Sequence, residues 1–319
     1  MTSTRRALCS GRAGTVGGLL LSGLALAGLV LTAAPEAPAE GADRADRAEC
    51  APTDARARLT GPAEPGRDGS GTLTPEQAAE YDRMLRDAAV HQSAPAKRAT
   101  VPVVVHVISA EDGSGRLSRA TVEEQVDVLN TAFGGGYGGA DTGIRFRLTR
   151  ITRTVDDAWF SDFSAHEDAA KERLRRGGAG TLNLYTADLG EGVLGASTFP
   201  QEYADHPDAD GVVVDHRSVP GGGREKFDHG FTAVHETGHW LGLYHTFQNG
   251  CEKPGDYVGD TPAEAEQAAG CPEGRDTCAD QAGDDPVTNF MNYSDDPCMD
   301  RFTRGQGRRM AEHWAAFRA

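Results

Sequence analysis

The residues with the clearest chemistry are His235-Glu236-Thr237-Gly238-His239-Trp240-Leu241-Gly242-Leu243-Tyr244-His245. Imidazoles four apart on a helix leave by the same face, so His235 and His239 can reach one metal ion. Gly242, three residues past His239, suits a left-handed turn that ends the helix and turns the chain back, letting His245 supply a third nitrogen. Three imidazoles with an open fourth position form a catalytic zinc pattern, whereas a structural site is normally closed by four protein ligands. Glu236 follows the first ligand directly. It is placed to take a proton from a zinc-bound water as that water attacks a carbonyl carbon, and to carry it to the leaving amine. A chain with 10 histidines rarely collects three at these spacings by coincidence on an amphipathic helix.

A second signal lies downstream. Asn289-Phe290-Met291-Asn292-Tyr293 reads as a tight turn bearing a methionine. The long zinc motif followed by such a turn is the metzincin signature, although Met291 alone would pass for an ordinary core methionine.

The elements that must position these residues follow from periodicity. Phe231, Val234 and Leu241 form an apolar stripe that would anchor the zinc helix against a sheet. Val103 to Ile108 is a β-branched run suited to a strand buried on both faces, and regular structure is expected from Val101 onward. Thr121 and Glu124 are spaced as a capping box for a helix whose apolar positions are Val122, Val126, Leu129 and Phe133. Ile144–Leu148, Leu182–Tyr185 and Gly211–Val214 read as further strands, Ala169–Leu174 as a short helix, and Gln306 to Phe317 as a closing helix. Strands alternating with helices indicate an α/β domain with a mixed sheet. His106 falls within the buried strand and receives no functional role.

The flanks and totals set the context. Arg5 and Arg6 precede a weakly charged apolar stretch from Gly14 to Ala34, followed by small residues, so residues 1–39 read as a secretory signal. Residues 40–98 are rich in Ala, Pro and charge, with one convincing helix pattern at Thr74-Pro75-Glu76, and read as a pro-segment or linker ending near Lys97-Arg98-Ala99. Residues 99–319 then form the folded domain. The net charge of −16 argues against nucleic acid or an anionic membrane as partner. Thirteen of the acids lie between Cys251 and Asp300, against Lys253 and Arg275 alone. That stretch is either a solvated loop region or a calcium-binding one. Cys251, Cys271, Cys278 and Cys298 lie in the exported domain, where pairing is favoured and three connectivities are open. Cys50 is left over, and its thiolate could occupy the open zinc position as a latency switch.

With these residues in view, the chain resembles the secreted zinc metalloproteases of the pappalysin (cytophagalysin-type) family in the metzincin clan. The matching text is HETGHWLGLYHTF, GDTP at 259–262, NFMNYSDDPC at 289–298 and FTRGQGRRM at 302–310, with VPVVVHVI, LNLY, GVLGASTFP and DGVVVD upstream. The resemblance covers residues 99–319. It implies an α/β metzincin-type fold with a twisted mixed sheet, an active-site helix and an irregular, disulfide-stapled C-terminal subdomain. It further implies zinc on His235, His239 and His245, Glu236 as base, Met291 beneath the metal and Tyr293 as donor to the oxyanion. Gly192, Val193, Leu194 and Gly195 would belong to a rim strand that pairs with an extended protein or peptide substrate, and the disulfides would be Cys251–Cys278 and Cys271–Cys298. Asp295 and Asp296 follow the methionine turn, where metzincins shape the pocket beyond the scissile bond, and an acid such as Asp296 there would favour Lys or Arg after the cut. A zinc amidase acting on cell-wall peptides and an inactive zinc-stabilised binding module are the competing readings; Glu236 and Tyr293 would have no purpose in the latter.

Overall fold

The computed structural model describes residues 57–59, 72–89 and 98–319. The signal stretch and Cys50 lie outside the described residues. In chain order the elements are β1 (Ala57–Leu59), α1 (Pro75–Ala89), β2 (Ala99–Ser109), α2 (Arg119–Phe133), β3 (Ile144–Val155), α3 (Asp157–Ser161) and α4 (Phe163–Leu174). They continue with β4 (Leu182–Ala187), β5 (Val193–Ser197), β6 (Val212–Asp215), α5 (Phe231–Trp240) and α6 (Arg304–His313). No helix of the described residues is long and apolar enough to cross a membrane.

The β-branched run of β2 explains its place. It pairs in parallel with β3 on one side and β4 on the other, and β4 pairs in parallel with β6. β5 then joins β6 antiparallel, and β1 joins β5 antiparallel, so the sheet is mixed with order β1-β5-β6-β4-β2-β3. Side chains alternate across a strand. Val101, Val103, Val105 and Val107 meet α2 through Val122, Val126, Leu129 and Phe133, and α5 through Phe231 and Val234. Ile108, Tyr185 and Val213 meet Phe160, Phe163, Ala170 and Leu174 of α3 and α4 in a second apolar cluster.

Three sequence-level expectations shift. Regular structure starts before Val101, because β1 and α1 both belong to the fold. The N-cap of α2 is Ser118, whose side chain accepts from the Thr121 amide; Thr121 is inside the helix rather than capping it. The zinc-motif helix α5 is buried on every side rather than along one stripe, because β5, β6, α2 and the C-terminal segment enclose it.

From Leu241 to Thr303 the chain makes one short 3₁₀ turn and no longer element. Disulfides join Cys251 to Cys278 and Cys271 to Cys298, with Cα–Cα distances of 5.6 Å in each pair. Closing loops of this length contributes on the order of 3 kcal/mol each by restricting the unfolded chain. Arg275 binds two carboxylates of this region, Glu264 at 2.6 Å and Asp285 at 2.7 Å. The dense negative charge is therefore partly balanced from inside.

His106 shows what a histidine without a metal looks like in this fold. Its Nδ1 lies 2.8 Å from the Thr152 hydroxyl and its Nε2 2.9 Å from Asn183 Oδ1, and its ring stacks on Tyr185. Burial pushes its pKa from 6.5 down to about 4. The unfolded chain binds this proton below pH 6.5 and the folded chain does not until about pH 4, so His106 costs stability as pH falls through that window. At ~1.4 kcal/mol per unit the cost reaches about 3 kcal/mol at the acid end. Urea unfolding of His106→Gln and the parent between pH 7 and 4.5 should show the variant losing less stability on acidification; parallel curves would refute the assignment.

Candidate metal centre

Gly230, in the left-handed region at φ 82°, starts α5, and its carbonyl is held by the side-chain amide of Gln125 from α2. The helix ends at Trp240, and Gly242 at φ 91° makes the expected left-handed turn. This turn brings His245 back to His235 and His239. The three Nε2 atoms stand 3.2 Å (His235–His245), 3.1 Å (His235–His239) and 3.0 Å (His239–His245) apart.

The opposite ring nitrogens decide what that triangle can hold. His235 Nδ1 lies 2.7 Å from the Phe290 carbonyl and His239 Nδ1 2.7 Å from the Leu243 carbonyl. A carbonyl oxygen only accepts, so both Nδ1 atoms carry the proton and both Nε2 atoms present lone pairs. Burial and the neighbouring His239 push the His245 pKa well below its ordinary value, so this ring is neutral too. Neutral nitrogens converging at this spacing fit a cation. Zn–N bonds of about 2.05 Å in a tetrahedron give nitrogen spacings of about 3.3 Å. Among the described residues, this is the one group of three or more His, Cys, Asp or Glu with ligand atoms close enough to share an ion. The donor set suits zinc.

Glu236 is fully buried beside the triad. β5 runs directly against it: a Cβ on Gly195 would stand 2.9 Å from Glu236 Cγ and 2.9 Å from Thr232 Cγ2. Glycine at 195 therefore lets the sheet approach the carboxylate. Gly192 is exposed ahead of β5, Val193 is half-buried, and Leu194 turns into the core. The outer edge of β5 is not open. Ala57 pairs with Ala196, Arg58 with Gly195 and Leu59 with Val193. Nearby, Thr72 Oγ1 lies 3.4 Å from His245 Nδ1. The upstream segment thus reaches both the rim strand and a histidine of the triad.

The methionine turn lies under the histidines. Met291 is fully buried, and its thioether fills the space that a side chain at Gly238 would need. Tyr293 packs its ring 4.9 Å from that of His245 and 5.7 Å from that of His235. Asp296 is fully buried, accepting the His229 amide at 3.1 Å just ahead of α5. The turn itself is held by residues to which the sequence assigned no role. Asn289 Oδ1 accepts the Met291 amide at 2.9 Å and exchanges side-chain bonds with Gln306 of α6. Glu264 accepts from Asn292 Nδ2 at 2.8 Å and from Thr246 Oγ1, next to His245, at 2.8 Å. The repeated asparagines of NFMNY were the available signal for the turn; nothing in the acid-rich stretch singled out Glu264.

The model of the family described as pregnancy-associated plasma protein-A, the pappalysins, matches residues 182–315. An extracellular metalloprotease of Colletotrichum graminicola is 47% identical over 226 residues, covering 69% of this chain and 78% of the relative. Extracellular metalloprotease 1 of Coccidioides posadasii is 41% identical over 264 residues, 80% of this chain and 91% of the relative. Among solved structures, a Glu-to-Ala variant of Tannerella forsythia promirolysin superposes with a TM-score of 0.66 at 26% identity, covering 76% of this chain and 91% of that one. Mature mirolysin in complex with a cleaved peptide gives 0.59 at 30% identity, over 68% and 91%. The family match spans the rim strand, the histidine triad and the methionine turn, and whole-domain relatives are 41–47% identical. This chain belongs to the pappalysin family of metalloproteases.

Proposed function

We propose that the chain is a secreted zinc endopeptidase in which Glu236 is the general base and Tyr293 stabilises the oxyanion. The observation that carries this reading is the convergence of three neutral imidazoles 3.0–3.2 Å apart, with a buried carboxylate and a strand edge beside them. Zinc held by His235, His239 and His245 would acidify a water and polarise the scissile carbonyl. Glu236 accepts the proton of the attacking water and delivers it to the leaving nitrogen, so the peptide C–N bond breaks as the amine becomes neutral. The Tyr293 hydroxyl donates to the oxygen on which charge develops. Met291 supports the triad from below without ligating. An extended substrate takes the outer edge of β5 at Gly192, Val193, Leu194 and Gly195 by strand addition. Glu236→Ala should lower turnover on the order of 10²–10⁴-fold while metal analysis still finds zinc. Retained turnover would sink the base assignment.

Residues 1–39 serve as an export signal, 40–98 as a pro-segment and 99–319 as the catalytic domain. Two observations support this division. β1 lies on the edge of β5 that the substrate would need. The precursor form of mirolysin aligns with 76% of this chain and the mature form with 68%, while residues 99–319 make up about 69%. The extracellular naming of the relatives supports export. We further propose, from its odd count and its place in the upstream sequence alone, that the Cys50 thiolate is a latency switch. Cys50→Ser should release activity in the uncleaved precursor, and a precursor that stays silent removes the latch.

Asp296 gives the wall of the pocket beyond the scissile bond a negative charge that selects Lys or Arg. Its burial beside the segment entering α5 supports a fixed position for that charge. Arg275 already binds Glu264 and Asp285 within the acidic stretch, which leaves calcium binding to the other carboxylates there. Peptide-library profiling should give a basic preference after the cut that Asp296→Asn weakens; an apolar preference in the parent enzyme rejects the assignment.

A further inference from the structure

α6 lies beneath the turn between the second and third histidines, and one of its side chains joins that turn to the upstream segment. Arg309 Nε donates to the Gly242 carbonyl at 3.1 Å. Four residues on, the His313 ring occupies the space that a Gly242 side chain would need. The guanidinium lies 4.7 Å over the ring of Tyr244, the residue before His245, and 5.5 Å over Tyr257. Its Nη1 donates to Asp82 Oδ1 of α1 at 3.1 Å, across 227 positions of sequence. α1 is further held where the Tyr244 hydroxyl donates to the Ala78 carbonyl at 3.1 Å.

A buried guanidinium deprived of its carboxylate is costly. A second carboxylate adjoins the ring contact: Asp256 directly precedes Tyr257, over whose ring the guanidinium lies. Asp256 is buried, its Oδ2 has no hydrogen-bond partner, and Arg309 Nη2 has none either. The two groups interact electrostatically, Arg309 opposing the burial that raises the Asp256 pKa to about 7.

We propose that Arg309 is a positioning residue of the metal centre, holding the Gly242 turn that aims His245, and that its guanidinium exchanges Asp82 for Asp256 when α1 is removed. The exchange rests on the reading of residues 40–98 as a pro-segment; the hold on the Gly242 turn does not. In the precursor the docked helix and the zinc turn share one cation. In the mature enzyme Asp256 takes over the charge and keeps the turn in place.

The test compares full-length precursor, kept intact by Glu236→Ala, with the matured enzyme, reading zinc loss to a chromogenic chelator and, in the matured form, kcat and KM separately. Arg309→Met should lose zinc at least tenfold faster in both forms, with Arg309→Lys partly restored. Asp82→Asn should accelerate zinc loss in the precursor alone, and Asp256→Asn in the matured enzyme alone, where kcat falls and KM holds. Arg309→Met retaining zinc like the parent overturns the positioning role. Asp256→Asn acting equally in both forms, or in neither, overturns the exchange even if Arg309→Met fails to fold. N-terminal sequencing separates the underlying reading: an active enzyme that still carries α1 overturns the pro-segment assignment and the exchange, and leaves the Arg309 role to be judged by its own variants.

Discussion

The Nε2 lone pairs of His235 and His239 face each other at 3.1 Å and repel unless a cation lies between them, and His245 brings a third nitrogen to the same point. Much of this structure can be understood as the means of imposing that arrangement. Helical spacing delivers two rings to one face, but it does not decide which nitrogen of each ring carries the proton. Backbone carbonyls from two other places decide it: Phe290 on the methionine turn for His235, and Leu243 just past the helix for His239. Each carbonyl fixes a tautomer and a ring orientation together, as metal-ligating histidines require. The helix end and the methionine turn are therefore constrained by the orientation of the imidazoles, although neither adds a ring to the cluster.

That constraint explains why the irregular half of the domain is built so firmly. A turn that must present one carbonyl to one imidazole cannot drift, yet no sheet or long helix holds it. Side chains do the work instead. Asn289 and Gln306 tie the turn to α6, and Glu264 ties Asn292 to Thr246, the neighbour of His245. A buried carboxylate is expensive unless its oxygens are satisfied, and Glu264 is satisfied by Asn292, Thr246 and Arg275. The Cys251–Cys278 disulfide closes the loop that carries Glu264 and Cys271–Cys298 the loop that carries Asn292, so the polar network forms from segments already restricted.

What the sequence revealed and what it hid follow the same division between local and long-range contacts. The triad was legible because four-residue helical spacing and a glycine turn are local geometry. The valine-rich strand and the apolar positions of α2 were legible because burial leaves a period. The start of α2 was placed a turn late because Ser118 and Thr121 are both hydroxyl residues at helix-start spacing, and it is Ser118 that accepts the amide. Glu264 was invisible, since its partners Asn292 and Thr246 lie 28 and 18 positions away in a stretch without periodicity. β1 was invisible for a different reason. Ala57-Arg58-Leu59 is too short to carry alternation, and it is a strand only because β5 offers it an edge.

That edge is the last constraint. β6 takes one side of β5, so the other side can serve a single partner at a time. Residues 57–59 pair there over three positions, with a register shift between Arg58 and Leu59. So short and interrupted a ladder is weak on its own, and a longer extended chain offering regular pairing would displace it. α1 has a different kind of hold. Its Asp82 is paired with Arg309, its Ala78 carbonyl with Tyr244, and its Tyr81 ring packs on Phe199, which in turn meets His239. The strand therefore covers the rim while the helix retains the segment. With cover and anchor on separate elements, the edge can open locally while α1 stays docked.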